Sequence, residues 1–328
     1  MKHVLRTALS TLSLSVAVLT PLTAAAADVV TSIKPLQLIA SALTDGVTQP
    51  ALLLPPEGTP HHYALKPSDM RNLAEAKVVI WVGPGLEQFL QKPLSRTDAH
   101  IVTLLPDSQP HAHDPVTADA EHNEADDHDH DHDHDHDHAA ATGQPVADEH
   151  HGHADGNDPH IWLDPLTALE MADQMLPALQ QAFPQQRERL AENRAVFERA
   201  VRGKDVQIRA QLAPYTEQGF YVFHDAYSGF INHYGLKQLG YFTVDPARRP
   251  GARHLAEIRH QLEQSHVVCV FSEPQFTSAI VSAITSGLPV QLGELDPLAR
   301  DAIIGPDGYI DYLQSLADSF AACLQEKE

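Results

Sequence analysis

Residues 184–212 read PQQRERLAENRAVFERAVRGKDVQIRAQL. Pro184 carries the backbone angle of a first helical turn and loses nothing by lacking an N–H there. Leu190, Phe197, Val201, Ile208 and Leu212 then step by 7, 4, 7 and 4, which puts them on one narrow stripe of a long helix. Such a stripe serves either an isolated coiled-coil partner or two lobes that the helix lies across. The flanking sequence selects the second.

Upstream, strand and helix signals alternate. Residues 28–33 read as a strand, 35–43 as a helix opened by Pro35, and 51–54 as a strand stopped by Pro55 and Pro56. Ser68 is placed to cap a helix reaching Ala76, 78–82 is a β-branched strand closed by Gly83-Pro84-Gly85, and 101–105 is another strand. Helical spacing returns over 165–183. Downstream the alternation repeats, with strands at 219–223, 238–243, 267–272 and 290–292 and helices at 227–234, 252–265, 275–285 and 310–324. Alternating βα units imply parallel sheets with helices on their faces. The expected fold is therefore α/β, with two lobes, each a parallel β-sheet flanked by helices, joined by a single long rigid helix. The expected division is a signal segment at 1–27, an N-terminal lobe at 28–183, the linking helix at 184–213 and a C-terminal lobe at 214–328.

The first 27 residues carry Lys2 and Arg6, an apolar run over 8–22 and small residues at 24–27, the pattern of a cleaved export signal. The apolar run is short for a membrane span. An exported chain with two cysteines, Cys269 and Cys323, points to a disulfide, with two buried thiols as the alternative. A bridge would close a loop of about 54 residues, worth about 4 kcal/mol on the chain-entropy view.

The net charge of −22 is unevenly placed. No Lys or Arg occurs between Arg96 and Arg187, and sixteen acids fall between Asp107 and Asp158. That field draws cations and disfavours nucleic acid and anionic membranes. At its centre His128, His130, His132, His134, His136 and His138 alternate with aspartates. Neutral imidazole suits zinc, copper and nickel, and carboxylates add oxygen donors. Residues 107–157 have no apolar period and are expected to be disordered, an auxiliary loop for weaker zinc binding. A solvated acidic linker is the plainer reading.

Three histidines stand where parallel sheets bind ligands, beyond the carboxyl ends of strands. His61 follows the second strand in Pro-Glu-Gly-Thr-Pro-His-His-Tyr, His160 lies in Asp-Pro-His-Ile-Trp-Leu-Asp-Pro, and His224 ends a strand in Phe-His-Asp-Ala-Tyr. Asp296 follows the last short strand. Each alone reads as an ordinary loop residue; together, beside the His/Asp tract, they read as a metal site.

Several segments carry a family resemblance: His61-His62-Tyr63-Ala64-Leu65-Lys66-Pro67-Ser68-Asp69, Trp81-Val82-Gly83-Pro84, residues 158–165, Phe223-His224-Asp225-Ala226-Tyr227 and Ser272-Glu273-Pro274-Gln275-Phe276. With them the chain resembles the zinc-binding members of the cluster A-I (cluster 9) metal solute-binding family, the periplasmic components of bacterial zinc-uptake ABC transporters. The resemblance covers essentially all of the chain after the signal segment. It implies capture of Zn2+ between the lobes by His61, His160 and His224, in the periplasm, by a monomer. It also implies delivery to an inner-membrane permease with its cytoplasmic ATPase. Members that look built for manganese have a carboxylate where this chain has His224, and a third imidazole favours zinc. Zinc is expected four-coordinate. Pro60 stands where some zinc members have a glutamate, which leaves water or Asp296 for the fourth place. Cys269 and Cys323 fall in the strand and terminal helix where zinc-type members carry a bridge.

Two rival readings share the site. A zinc hydrolase also uses three histidines and a water, but the chain has no HExxH motif and Glu57 is the nearest acid to His61. A periplasmic metal buffer or adhesin without a transporter would use the same ligands.

Overall fold

The computed structural model describes residues 27–106, 158–244, 246, 250–276 and 279–325. Most of the signal-like segment and the whole His/Asp tract lie outside the described residues, as do the expectations that rest on them.

The first sheet is built from β1 (Val29–Thr31), β2 (Ala51–Leu52), β3 (Val78–Trp81) and β4 (His100–Thr103), interleaved with α1 (Lys34–Leu43), α2 (Pro67–Glu75) and the short α3 (Gln91–Leu94). Two long helices follow, α4 (Pro165–Ala182) and α5 (Arg187–Leu212). The second half comprises β5 (Gly219–His224), α6 (Ser228–Tyr234), β6 (Lys237–Thr243), α7 (Ala252–Gln264), β7 (Val267–Ser272), α8 (Ala279–Thr285), β8 (Gln291–Glu294) and α9 (Gly308–Leu324). Strand order is β2-β1-β3-β4 in one sheet and β6-β5-β7-β8 in the other. Every pairing is parallel. The two orders are the same, so each sheet reverses direction of winding beside its first strand, where parallel sheets take their ligands.

The strands explain their own burial. In β1 and β3, Val29, Val78 and Ile80 face one layer of side chains while Val30, Val79 and Trp81 face another. Both faces are covered, which is why these strands read as continuous apolar runs. The inner layer runs from α1 and β3 through α4, α5 and α9 to β5 and β7 as one cluster. Leu190, Phe197, Val201, Ile208 and Leu212 of α5 are all buried in it. The helix of 26 residues spans about 39 Å and is cemented to both halves. Arg194 adds a bidentate bond to Asp173 of α4, both distances 2.8 Å. A core shared in this way opposes wide hinge opening.

Local chemistry shifts several boundaries. Residues 184–186 form a 3-10 turn, with Gln186 N–H bonded to Phe183 O at 2.9 Å, before the α-helix proper begins at Arg187. Ser68 does not cap α2. Lys66 is the last extended residue, Pro67 takes the first helical position, and the Asp69 carboxylate accepts the Lys66 N–H at 2.8 Å. A helix beginning at Gln275 is not formed, because Phe276 N–H closes a turn onto Glu273 O; α8 starts at Ala279. Cys269 and Cys323 are bonded, with Cα atoms 5.8 Å apart, inside the usual disulfide range. The bridge fastens α9 to β7.

Glu87 follows β3 and is completely buried. It accepts the N–H groups of Val82 at 2.8 Å and Gly83 at 3.2 Å. Gly83 has φ +151°, and a Cβ there would meet Leu105 O at 2.1 Å, so only glycine fits. Burial pushes the Glu87 carboxyl up from 4.5 to about 7. A folded pKa above the unfolded one means that the unfolded chain surrenders this proton first. The resulting penalty is absent below pH about 4.5, grows as pH rises, and is complete above pH about 7. Its full size is about 3 kcal/mol. Glu87→Gln is expected to leave stability unchanged at pH 4.5 and to raise it by up to that amount at pH 8. Denaturant titration at the two pH values measures the difference.

Candidate metal centre

The first imidazole is held by a tight loop after β2. Gly58 N–H bonds Pro55 O at 2.8 Å, Thr59 and His62 form an antiparallel bridge, and His61 N–H lies 3.4 Å from Thr59 Oγ1. Tyr63 ties the loop to α2 through Asp69 at 3.0 Å and packs its ring on Phe89. His61 is half-buried, whereas its neighbour His62 is exposed.

His160 leads into α4. Asp164 caps that helix by accepting Leu166 N–H at 2.7 Å and Thr167 N–H at 2.9 Å, with Pro165 at the first position. Trp162, fully buried, donates its indole N–H to Pro297 O at 2.7 Å and accepts Tyr309 O–H at its carbonyl at 2.7 Å. Its ring lies against His160, with centroids 5.3 Å apart. Asp158 Oδ1 is 2.7 Å from His160 Nδ1. A carboxylate there holds the proton on Nδ1 and leaves Nε2 as the basic nitrogen.

His224 is the last residue of β5. It is 2% exposed, and neither ring nitrogen has a hydrogen-bond partner among the described residues. A buried imidazole left in that state calls for an explanation. Glu273 Oε1 lies 3.5 Å from its Nδ1. Tyr227 donates to the same oxygen at 3.1 Å. Burial, then the charge of Glu273, pushes the Tyr227 hydroxyl well above its usual pKa, so it remains a donor.

The three rings converge. Centroid separations are 5.6 Å for His61–His160, 5.3 Å for His61–His224 and 4.8 Å for His160–His224. One nitrogen from each lies within 4.8 Å of the others. Asp296, considered for the fourth place, is not brought into this group. Its carboxylate accepts Gln275 Nε2 at 2.6 Å, Leu298 N–H at 3.0 Å and Arg300 N–H at 2.5 Å, which closes the loop after β8. Glu273 and Gln275 line the cavity instead, with Pro297 and Leu298. The space among these side chains is about 10 Å³, room for one water or one bare ion and too little for a solute with a carbon skeleton.

Fold and donor set together define a two-lobed metal-binding receptor. The sequence profile of the family described as zinc-uptake complex component A, periplasmic (ZnuA), matches residues 29–323. The high-affinity zinc uptake system protein ZnuA of Yersinia pestis is 40% identical over 308 residues, covering 93% of each chain. The protein of the same name from Haemophilus ducreyi is 40% identical over 313 residues, 95% of this chain and 98% of that one. Among solved structures, a crystal structure of ZnuA superposes with a TM-score of 0.69 at 22% identity, over 92% of this chain and 100% of that one. The chain belongs to this family, whose members are periplasmic solute-binding components of zinc-uptake transporters rather than enzymes.

Proposed function

We propose that His61, His160 and His224 of this chain hold one Zn2+ between the lobes, and that the chain, exported by removal of its first 27 residues, delivers the ion as a monomer to an ABC-type permease. The observation that carries this reading is the convergence of three imidazole nitrogens within 4.8 Å around a buried His224 that has no other hydrogen-bond partner among the described residues. Nitrogen donors of this kind suit zinc, and three of them leave one coordination place for water. The single-ion size of the cavity fits capture of a cation.

Crystals grown with Zn2+ are expected to give one anomalous peak at the zinc edge among the three rings. A strain lacking the chain should grow poorly only when zinc is scarce. A peak elsewhere, or none at this site, would reject the ligand assignment. Normal growth of the deletion strain in zinc-limited medium would favour the buffer or adhesin reading.

A further inference from the structure

Placing a dication among neutral imidazoles, two of them nearly inaccessible to water, is costly unless negative charge stands close by. Asp296 is not among the groups that converge on the site, its carboxylate being turned to three N–H donors, from Gln275, Leu298 and Arg300. Two other carboxylates stand directly behind the rings. Asp158 backs His160 at 2.7 Å, and Glu273 backs His224 at 3.5 Å. Glu273 is 3% exposed, and its Oε2 has no hydrogen-bond partner among the described residues. No Lys or Arg pairs with it among those residues; its ion-pair neighbour is His224. A buried carboxyl oxygen in that condition carries a desolvation cost that a metal-loaded site would offset.

The register of the sheet explains how Glu273 comes to be there. Val222 of β5 pairs with Phe271 of β7. Continuing that pairing by two residues sets His224 opposite Glu273, at the point where the sheet reverses winding.

We propose that Glu273 is the positioning and charge-setting residue of this centre. On metal binding it closes the 3.5 Å gap to accept the Nδ1–H of His224, leaves Nε2 for the metal, and with Asp158 balances the charge of one divalent ion. The inference rests on the zinc reading given above and deepens it to selectivity. Imidazole donors suit copper as well as zinc, so donor type alone does not separate Zn2+ from Cu+. Charge does: two carboxylates neutralise a dication, whereas a cuprous ion leaves one negative charge uncompensated in a buried place.

Glu273→Gln keeps the shape and an acceptor for Tyr227 while removing the charge. Competition titration should show Zn2+ affinity lowered about 10–100-fold, the usual range for loss of a carboxylate behind a ligating histidine. Cu+ affinity, measured anaerobically, should fall less, about 3–10-fold, because a carboxylate attracts a monovalent ion with half the energy it has for a dication. Glu273→Asp should recover part of the zinc preference. Unchanged Zn2+ affinity, or an equal loss for both ions, would overturn the proposal. Should metal-free Glu273→Gln fail to unfold cooperatively, Asp158→Asn at the less buried carboxylate carries the same comparison with the same criteria. His224→Ala separates the two levels. If that variant keeps tight zinc binding, the zinc reading itself has failed. If it loses zinc while Glu273→Gln matches the parent protein for both ions, only the role of Glu273 falls.

Discussion

Replacing His224 with alanine is expected to lower Zn2+ affinity by more than about 100-fold, since loss of a mere supporting partner already costs 10–100-fold. Among the described residues, neither neighbouring candidate is placed to take over. His62 next to His61 is exposed, and Asp296 is committed to three N–H groups. His233 provides the control. It sits on α6 only nine positions further on, but its Nε2 is 2.7 Å from Asp205 on α5 and its Nδ1 is 3.6 Å from Asp164. His233→Ala should leave zinc affinity within about threefold of the parent, well short of the loss for a ligand or its supporting partner. Competition titration with a chromophoric chelator reads both variants, and equal affinities would dismiss His224 as a ligand.

Trp162→Ala should cost about 3–5 kcal/mol of stability, the range for emptying a large aromatic site. Trp162 is completely buried, and its two hydrogen bonds join the His160 segment to the loop after β8 and to α9. Trp162→Phe keeps most of the packing and loses the bond to Pro297, where Tyr312 O–H still donates at 2.9 Å. That variant should lose only about 1–2 kcal/mol. Chemical denaturation of the metal-free proteins measures both. Zinc affinity of Trp162→Ala should also fall, because the wall behind His160 is gone.

The parallel strands were legible because both their faces are buried, which makes them continuous apolar runs such as 78–82 and 267–272. The long helix was legible from a stripe in which each member is indeed buried. Boundaries were less so, since they depend on contacts that periodicity does not encode: Asp69 reaching back to Lys66, and Phe276 turning onto Glu273. The three histidines could be singled out because each stands beside a strand end or a helix start. Asp296 stood out for the same reason, yet its carboxylate closes its own loop, a common use of Asp before proline and small residues. Glu273 was passed over. Its signal is visible only once β5 and β7 are known to be neighbours, because only then does Ser-Glu-Pro stand beside Phe-His-Asp.

The three rings differ in how far they are sunk. His160 and His224 are each 2% exposed and anchored in the common core, whereas His61 is half-buried on a loop of a few hydrogen bonds. On the proposed ligand set, an ion is expected to leave stepwise, with the loop histidine releasing first. On that ligand set, a receiving protein that displaces the His61 loop would accelerate unloading without separating the lobes.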